Sequence, residues 1–90
     1  MRQTDNAPLR QVVHQPAQLG EILRARRKAR GISQQTLATK LNVAQSRVSH
    51  LESDPAGLTL DRLLLLAKLL GLELVVQEKA ASASGSKAEW

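Results

Sequence analysis

A chain of 90 residues holds one domain of modest core size, and without a cysteine it has neither disulfides nor thiolate metal sites to staple it. Phe and Tyr are absent and the one Trp is Trp90, so the core must be built from Leu, Val, Ile and Ala, which suits helices better than a sandwich. Net charge is +5, unevenly placed: residues 1–51 carry nine Lys or Arg against Asp5 and Glu21, giving +7, whereas residues 52–90 carry four against six acids, giving −2. Such clustering is either the electrostatic footprint of a phosphate-backbone partner or a solvated face, and charge alone does not separate the two.

Residues 1–15 show no periodicity and read as a flexible tail. Pro16 suits the first turn of a helix, and from Ala17 to Ala29 the stripe Leu19, Ile22, Leu23 faces inward, with Arg27 standing where the next core residue is due. Gly31 ends this helix at the usual place of a left-handed cap. Ser33 caps a second, two-turn helix to about Leu41, with Ile32 and Leu37 as its staple. Asn42 supplies a left-handed turn, and a third short helix beginning near Ala44 carries Val48 and Leu51 inward. Asp54, Pro55 and Gly57 break the chain.

Thr59 caps a fourth helix that Gly71 stops, and its Leu-rich sequence leaves almost no polar face, so it needs cover on two sides, from its own domain and from a second subunit. Leu72 to Gln77 alternates as a strand, with Leu72, Leu74 and Val76 on one side; a lone strand implies pairing with another copy across a dimer interface. Residues 78–90 are a second flexible tail, ending in Trp90. The fold class predicted is mainly α, a domain over residues 16–77 with four to five helices and one C-terminal strand. The Leu-rich run is interrupted by Asp61, Arg62, Lys68, Gly71 and Glu73, and the N-terminus lacks a secretory h-region, so a soluble cytoplasmic protein is expected.

Two short helices about a tight turn, with apolar residues at Leu37, Leu41, Val43, Val48 and Leu51 and the small Ala38 at the crossing, form a helix-turn-helix pattern. At 100° per residue, Gln45, Ser46, Ser49 and His50 share one sector of about 140° on the third helix, opposite Ala44, Val48 and Leu51. This polar row is a solvent-facing stripe or a groove-reading face, and the basic half of the chain together with the helix-turn-helix motif favours the second. Gln45 suits bidentate recognition of adenine, Ser46 and Ser49 suit either base type, and Ala44 suits a thymine methyl. His50 contacts a base, a phosphate, or nothing. Arg47, at the edge of the sector, is a candidate phosphate ligand. His14 and His50 have no nucleophile, metal cluster or phosphate-binding loop beside them, so no enzyme, metal or cofactor is expected.

The run from Gly31 to Glu52 resembles the lambda-type, or Cro/C1-type, helix-turn-helix family. Gln34, Ala38, Val43, Gln45, Val48 and Glu52 fall at family positions, the likeness covers residues 17–71, and Asn42 stands where the family usually carries Gly. The resemblance implies a phosphate hydrogen bond from Gln34 and an internal ion pair between Arg27 and Glu52. The layout of the second half, down to Glu89 and Trp90, resembles the HipB family of antitoxins. That likeness implies a bacterial, nucleoid-associated homodimer which represses an operator on double-stranded DNA and binds a HipA-like serine/threonine kinase toxin. Trp90, on a tether of about ten residues reaching about 17 Å, is then a toxin anchor; otherwise it folds back or hangs free. The alternatives are a repressor with no toxin and an interaction adaptor that does not read sequence.

Overall fold

A computed structural model describes residues 10–80, and the ends of both predicted tails, Trp90 among them, lie outside it. Among the described residues there are four α-helices, α1 (Pro16–Ala29), α2 (Gln34–Leu41), α3 (Gln45–Ser53) and α4 (Leu60–Leu70), with a 3-10 turn at Pro55–Gly57. None is long and apolar enough to cross a membrane.

The helix ends follow from local chemistry. Pro16 opens α1, where Gln18 Oε1 accepts from the backbone N–H groups of His14 and Gln15 at 2.7 and 2.9 Å. Ser33 Oγ accepts from the Thr36 N–H at 3.0 Å and Thr59 Oγ1 from the Arg62 N–H at 3.2 Å, each satisfying an amide that the first turn leaves without a partner. Three helices stop on a left-handed residue, Gly31 (φ 71°), Asn42 (φ 61°) and Gly71 (φ 73°). In each case the following residue donates to the carbonyl five positions earlier: Ile32 to Arg27, Val43 to Ala38 and Leu72 to Ala67, at 3.0, 3.0 and 2.8 Å. Asn42 thus makes the turn that a glycine would otherwise supply.

The core is the junction of the four helices. Leu23 of α1, Leu37, Ala38 and Leu41 of α2, Val48 and Leu51 of α3 and Leu66 and Leu70 of α4 are buried together, with Leu19, Ile32, Val43, Leu58, Leu69 and Leu72 packed at the edges. α1 crosses α3 very closely at Gly20. A Cβ there would overlap the backbone carbonyl oxygen of Glu52 and meet Pro55 Cδ at 3.3 Å, so the crossing exists only because residue 20 has no side chain.

The predicted strand is not formed in the single chain. Residues 72–80 carry no regular secondary structure, and although Leu72 packs on the core, Leu74 and Val76 are exposed, Val76 at 99%. A strand exists only as part of a ladder, and among the described residues no other segment pairs with this one. Arg10 does reach it from the opposite end, donating to Gln77 Oε1 at 3.2 Å.

Gly20→Ala is expected to destabilise the protein by about 1–3 kcal/mol or more, because rigid backbone cannot yield as a side chain would. Urea unfolding would show it as a lower midpoint at unchanged slope, whereas Gly57→Ala, at a site with nothing near its Cβ, is expected to move the midpoint little.

Candidate nucleic-acid interface

Short caps and a left-handed turn place α2 and α3 in contact, and α3 turns one side to the core and the other outward. Val48 and Leu51 are buried, whereas Ala44, Gln45, Ser46, Arg47, Ser49 and His50 are all exposed. The structure therefore leaves the five predicted base-reading residues and Arg47 exposed, Ala44 as the residue that precedes α3 and the others within its first two turns. Arg47 and His50 also line a shallow hollow of about 320 Å³ with Leu51, Asp54 and Gly57, at the far end of that face.

Behind the face runs a row of polar side chains with a buried end. Arg27, 6% exposed, donates Nε to Glu52 Oε2 at 2.6 Å and Nη2 to Glu52 Oε1 at 3.1 Å, while its Nη1 reaches the Ile32 carbonyl at 2.9 Å. Glu52 Oε1 also accepts from Gln34 Nε2 at 3.0 Å, and Gln34 Oε1 accepts in turn from Gln45 Nε2 at 3.4 Å. The row Arg27, Glu52, Gln34, Gln45 thus leads from the interior to the exposed start of α3. Gln34, which the resemblance assigns to phosphate, has both ends of its amide engaged inside the protein.

Burial pushes the Glu52 carboxyl up, but the hydrogen bonds from Arg27 and Gln34 and the charges of Arg27 and Arg24 outweigh it, so the group is held below the usual carboxylate range. Its side chain and that of Arg27 are each 7% exposed, so removal of either partner strands the other away from water.

Three basic residues have structural contacts that the pattern of the sequence did not announce. Arg26 Nε lies 3.4 Å from the Leu70 carbonyl oxygen at the end of α4, Arg62 Nη1 donates to the Leu41 carbonyl at the end of α2 at 3.0 Å, and the Arg30 guanidinium sits against Gly71. Cations at helix C-termini are favourably placed, and an arginine on an otherwise Leu-rich helix was a signal available for Arg62. The glycine at position 20, inside a helical pattern, was likewise a signal of close approach.

Residues 23–86 match the helix-turn-helix family. The chain belongs to that family. Among solved structures this helix-turn-helix protein is similar to a chain of a HipA–HipB–O2–O3 complex, with 26% identity and a TM-score of 0.69 over 78% of this chain and 99% of the other. The same values hold for a structure described as MDT Protein. A chain of a HipB–O1–O2 complex gives 26% identity and a TM-score of 0.67 over 76% of this chain and 99% of that one. No curated protein matches the sequence. The architecture is HipB-like, and the chain is a DNA-binding regulator of the helix-turn-helix family.

A carboxyl whose folded-state pKa lies below its unfolded value of about 4.3 contributes stability that is complete above the unfolded value and is lost as pH falls through the folded one. Glu52→Gln is therefore expected to be less stable than the wild type by a margin widest near neutrality and narrowing in acid, read from urea midpoints across the pH range. Arg27→Met leaves a buried carboxylate without its cation and is expected to cost about 3–5 kcal/mol.

Proposed function

We propose that this protein is a sequence-specific repressor that binds operator DNA as a homodimer through α3 and acts as the HipB-like antitoxin of a HipA-like serine/threonine kinase in the bacterial cytoplasm, at the nucleoid. The observation that carries the DNA-reading part is the hydrogen bond from Gln45 to Gln34. Glu52, ionised, can only accept, so Gln34 turns its NH₂ inward and its oxygen outward, and that oxygen takes one N–H of Gln45. Gln45 keeps one N–H and its oxygen free, in one plane, which is the donor and acceptor pair that adenine N7 and N6 require. Ala44, Ser46, Ser49 and His50 extend the contact along the groove, and Arg47 takes a phosphate at its edge. Gln34 serves this reading by orienting Gln45, with a phosphate contact from its first-turn position as the part the resemblance adds.

The dimer reading rests on unpaired apolar surface. Leu60, Leu64 and Leu65 are 64, 48 and 39% exposed on the outer side of α4, and Leu74, Val75 and Val76 are 45, 70 and 99% exposed just beyond it. A second copy covers both at once, α4 on α4 and residues 72–77 as paired strands, with Leu72, Leu74 and Val76 at the interface. Two α3 helices then enter successive major grooves about 34 Å apart. The antitoxin reading draws on the likeness to a HipB chain assembled with HipA, and gives Trp90 the role of an anchor in the kinase.

Gln45→Ala is expected to cost about 1–3 kcal/mol on the preferred duplex and to relax choice at one base pair, while Arg47→Ala weakens specific and random duplexes alike and lowers the salt slope by about one. Equal losses on both kinds of duplex for Gln45→Ala would remove its assigned role. Leu64→Glu is expected to yield a folded monomer in sedimentation, with tight operator binding lost. For the partner, a pull-down from native lysate with the intact chain and a variant lacking Glu89 and Trp90 decides. A kinase retained by the first and lost by the second supports the antitoxin and its anchor; DNA without a kinase points to a repressor that works alone.

A further inference from the structure

We infer that Arg62 is a positioning residue for DNA reading: it pins the turn between α2 and α3 to α4 and so fixes the angle at which α3 is presented. Arg62, half-buried, donates Nη1 to the Leu41 carbonyl oxygen at 3.0 Å. Leu41 is the last residue of α2, and its carbonyl is one of the four that a helix leaves without an internal partner. The guanidinium supplies that partner and meets the negative end of the α2 dipole. Asn42, in its left-handed conformation, follows immediately, so the contact falls on the hinge from which α3 departs.

The base of the pin is rigid. The Arg62 amide is held by the Thr59 cap in the first turn of α4, and Leu66 and Leu70 farther along the helix lie in the common core. Among the described residues this is the one hydrogen bond between α4 and α2, whereas the Gln34 side chain ties α2 to α3. Without Arg62, the direct contact between the reading unit and α4 among the described residues is apolar, and the remaining directional link runs indirectly through α1, whose Arg26 donates to the Leu70 carbonyl. Arg62 lies about 160° around α4 from both Leu60 and Leu64, so the helix turns the proposed dimer face one way and the pin the other. A further consequence, which rests on that dimer reading, is that Arg62 helps set the separation of the two α3 helices and hence the half-site spacing that the protein accepts.

The test compares the full chain with Arg62→Met, which keeps the bulk of the stem and removes the donors, and with Arg62→Lys, which restores one charged donor. Amide exchange at Asn42 and Val43, whose N–H groups close the α2 turn, is expected to quicken at least tenfold in Arg62→Met with Leu23 unchanged, and to recover most of that in Arg62→Lys. The DNA probe is a set of duplexes selected from a random pool by the wild type, re-made with the half-sites moved apart one base pair at a time. Arg62→Met is expected to lose about tenfold at the best spacing and to flatten the spacing preference. Unchanged exchange at Asn42 and Val43 in a folded Arg62→Met, or faster exchange with an unchanged spacing profile, overturns the inference. Should Arg62→Met not fold, Arg62→Gln takes its place in both measurements. Should the wild type bind as a monomer, the dimer reading fails on its own, and affinity for a single site decides for Arg62: a loss in Arg62→Met upholds the pin and no change overturns it.

Discussion

Glu52 accepts from both forks of Arg27 and from the amide of Gln34, and through that one carboxylate the end of α1, the start of α2 and the end of α3 are held in register. A buried ion pair is a poor source of stability in itself, since apolar residues of the same volume often serve as well. What it supplies here is direction. An ionised carboxylate accepts only, which settles which way Gln34 points, which settles in turn which edge of Gln45 is left free at the start of α3. The polarity of the outermost side chain is thus determined some distance inward, by a charge that is largely shielded from solvent. Gly20 belongs to the same constraint, because α1 can bring Arg27 to Glu52 only where the two backbones approach without an intervening methyl group.

The helices were legible because their ends are chemical. Ser33, Thr59, Gly31, Asn42 and Gly71 each satisfy or release backbone groups by their own side chain or their own φ, and those properties travel with the residue. Arg27 was legible for a related reason: a charge at a core position of a helical stripe must find a counter-charge. The role of Gln34 in orienting Gln45 was not legible, because an amide at the first turn of a helix looks the same whether it faces solvent or a carboxylate from another helix. Arg26 was hidden in the same way, its acceptor being a carbonyl 44 residues distant, and at Arg62 the Leu-rich helix marked the arginine but not its acceptor, a carbonyl 21 residues away. The strand at Leu72 to Gln77 was read from alternation, but alternation states only which side wants to be covered, and among the described residues no second strand lies beside it, so Leu74 and Val76 stay exposed.

The excess of +7 in the first 51 residues therefore divides into kinds that net charge cannot distinguish. Arg27 is neutralised by Glu52 inside the domain and adds little to the field outside, whereas Arg26 and Arg30 keep their charge beside the end of α4. Arg24, Lys28, Lys40 and Arg47 are exposed and remain available to a polyanion. The field felt by DNA is smaller than composition suggests and is better defined in direction, which matters more for choosing a register than for simple attraction.

The two halves of the domain meet in α4. Its inner side, Leu66, Ala67 and Leu70, completes the core around Leu23 and Leu37, while Leu60, Leu64 and Leu65 are surplus to that core and remain in solvent. A helix this apolar would be reshaped toward polarity on its outer side if the fold were its only task, because exposed leucines add nothing to a monomer's stability and promote association. The same helix also sends Arg62 to the turn that launches α3. On the proposed reading, association and recognition therefore meet in one rigid element: whatever covers the outer leucines acts on a helix bonded directly to the turn between α2 and α3. A partner on that face can bias the angle of α3 only to the extent that it favours one arrangement of α4 over another, and the single bond from Arg62 to Leu41 is the shortest route by which such a preference would be transmitted.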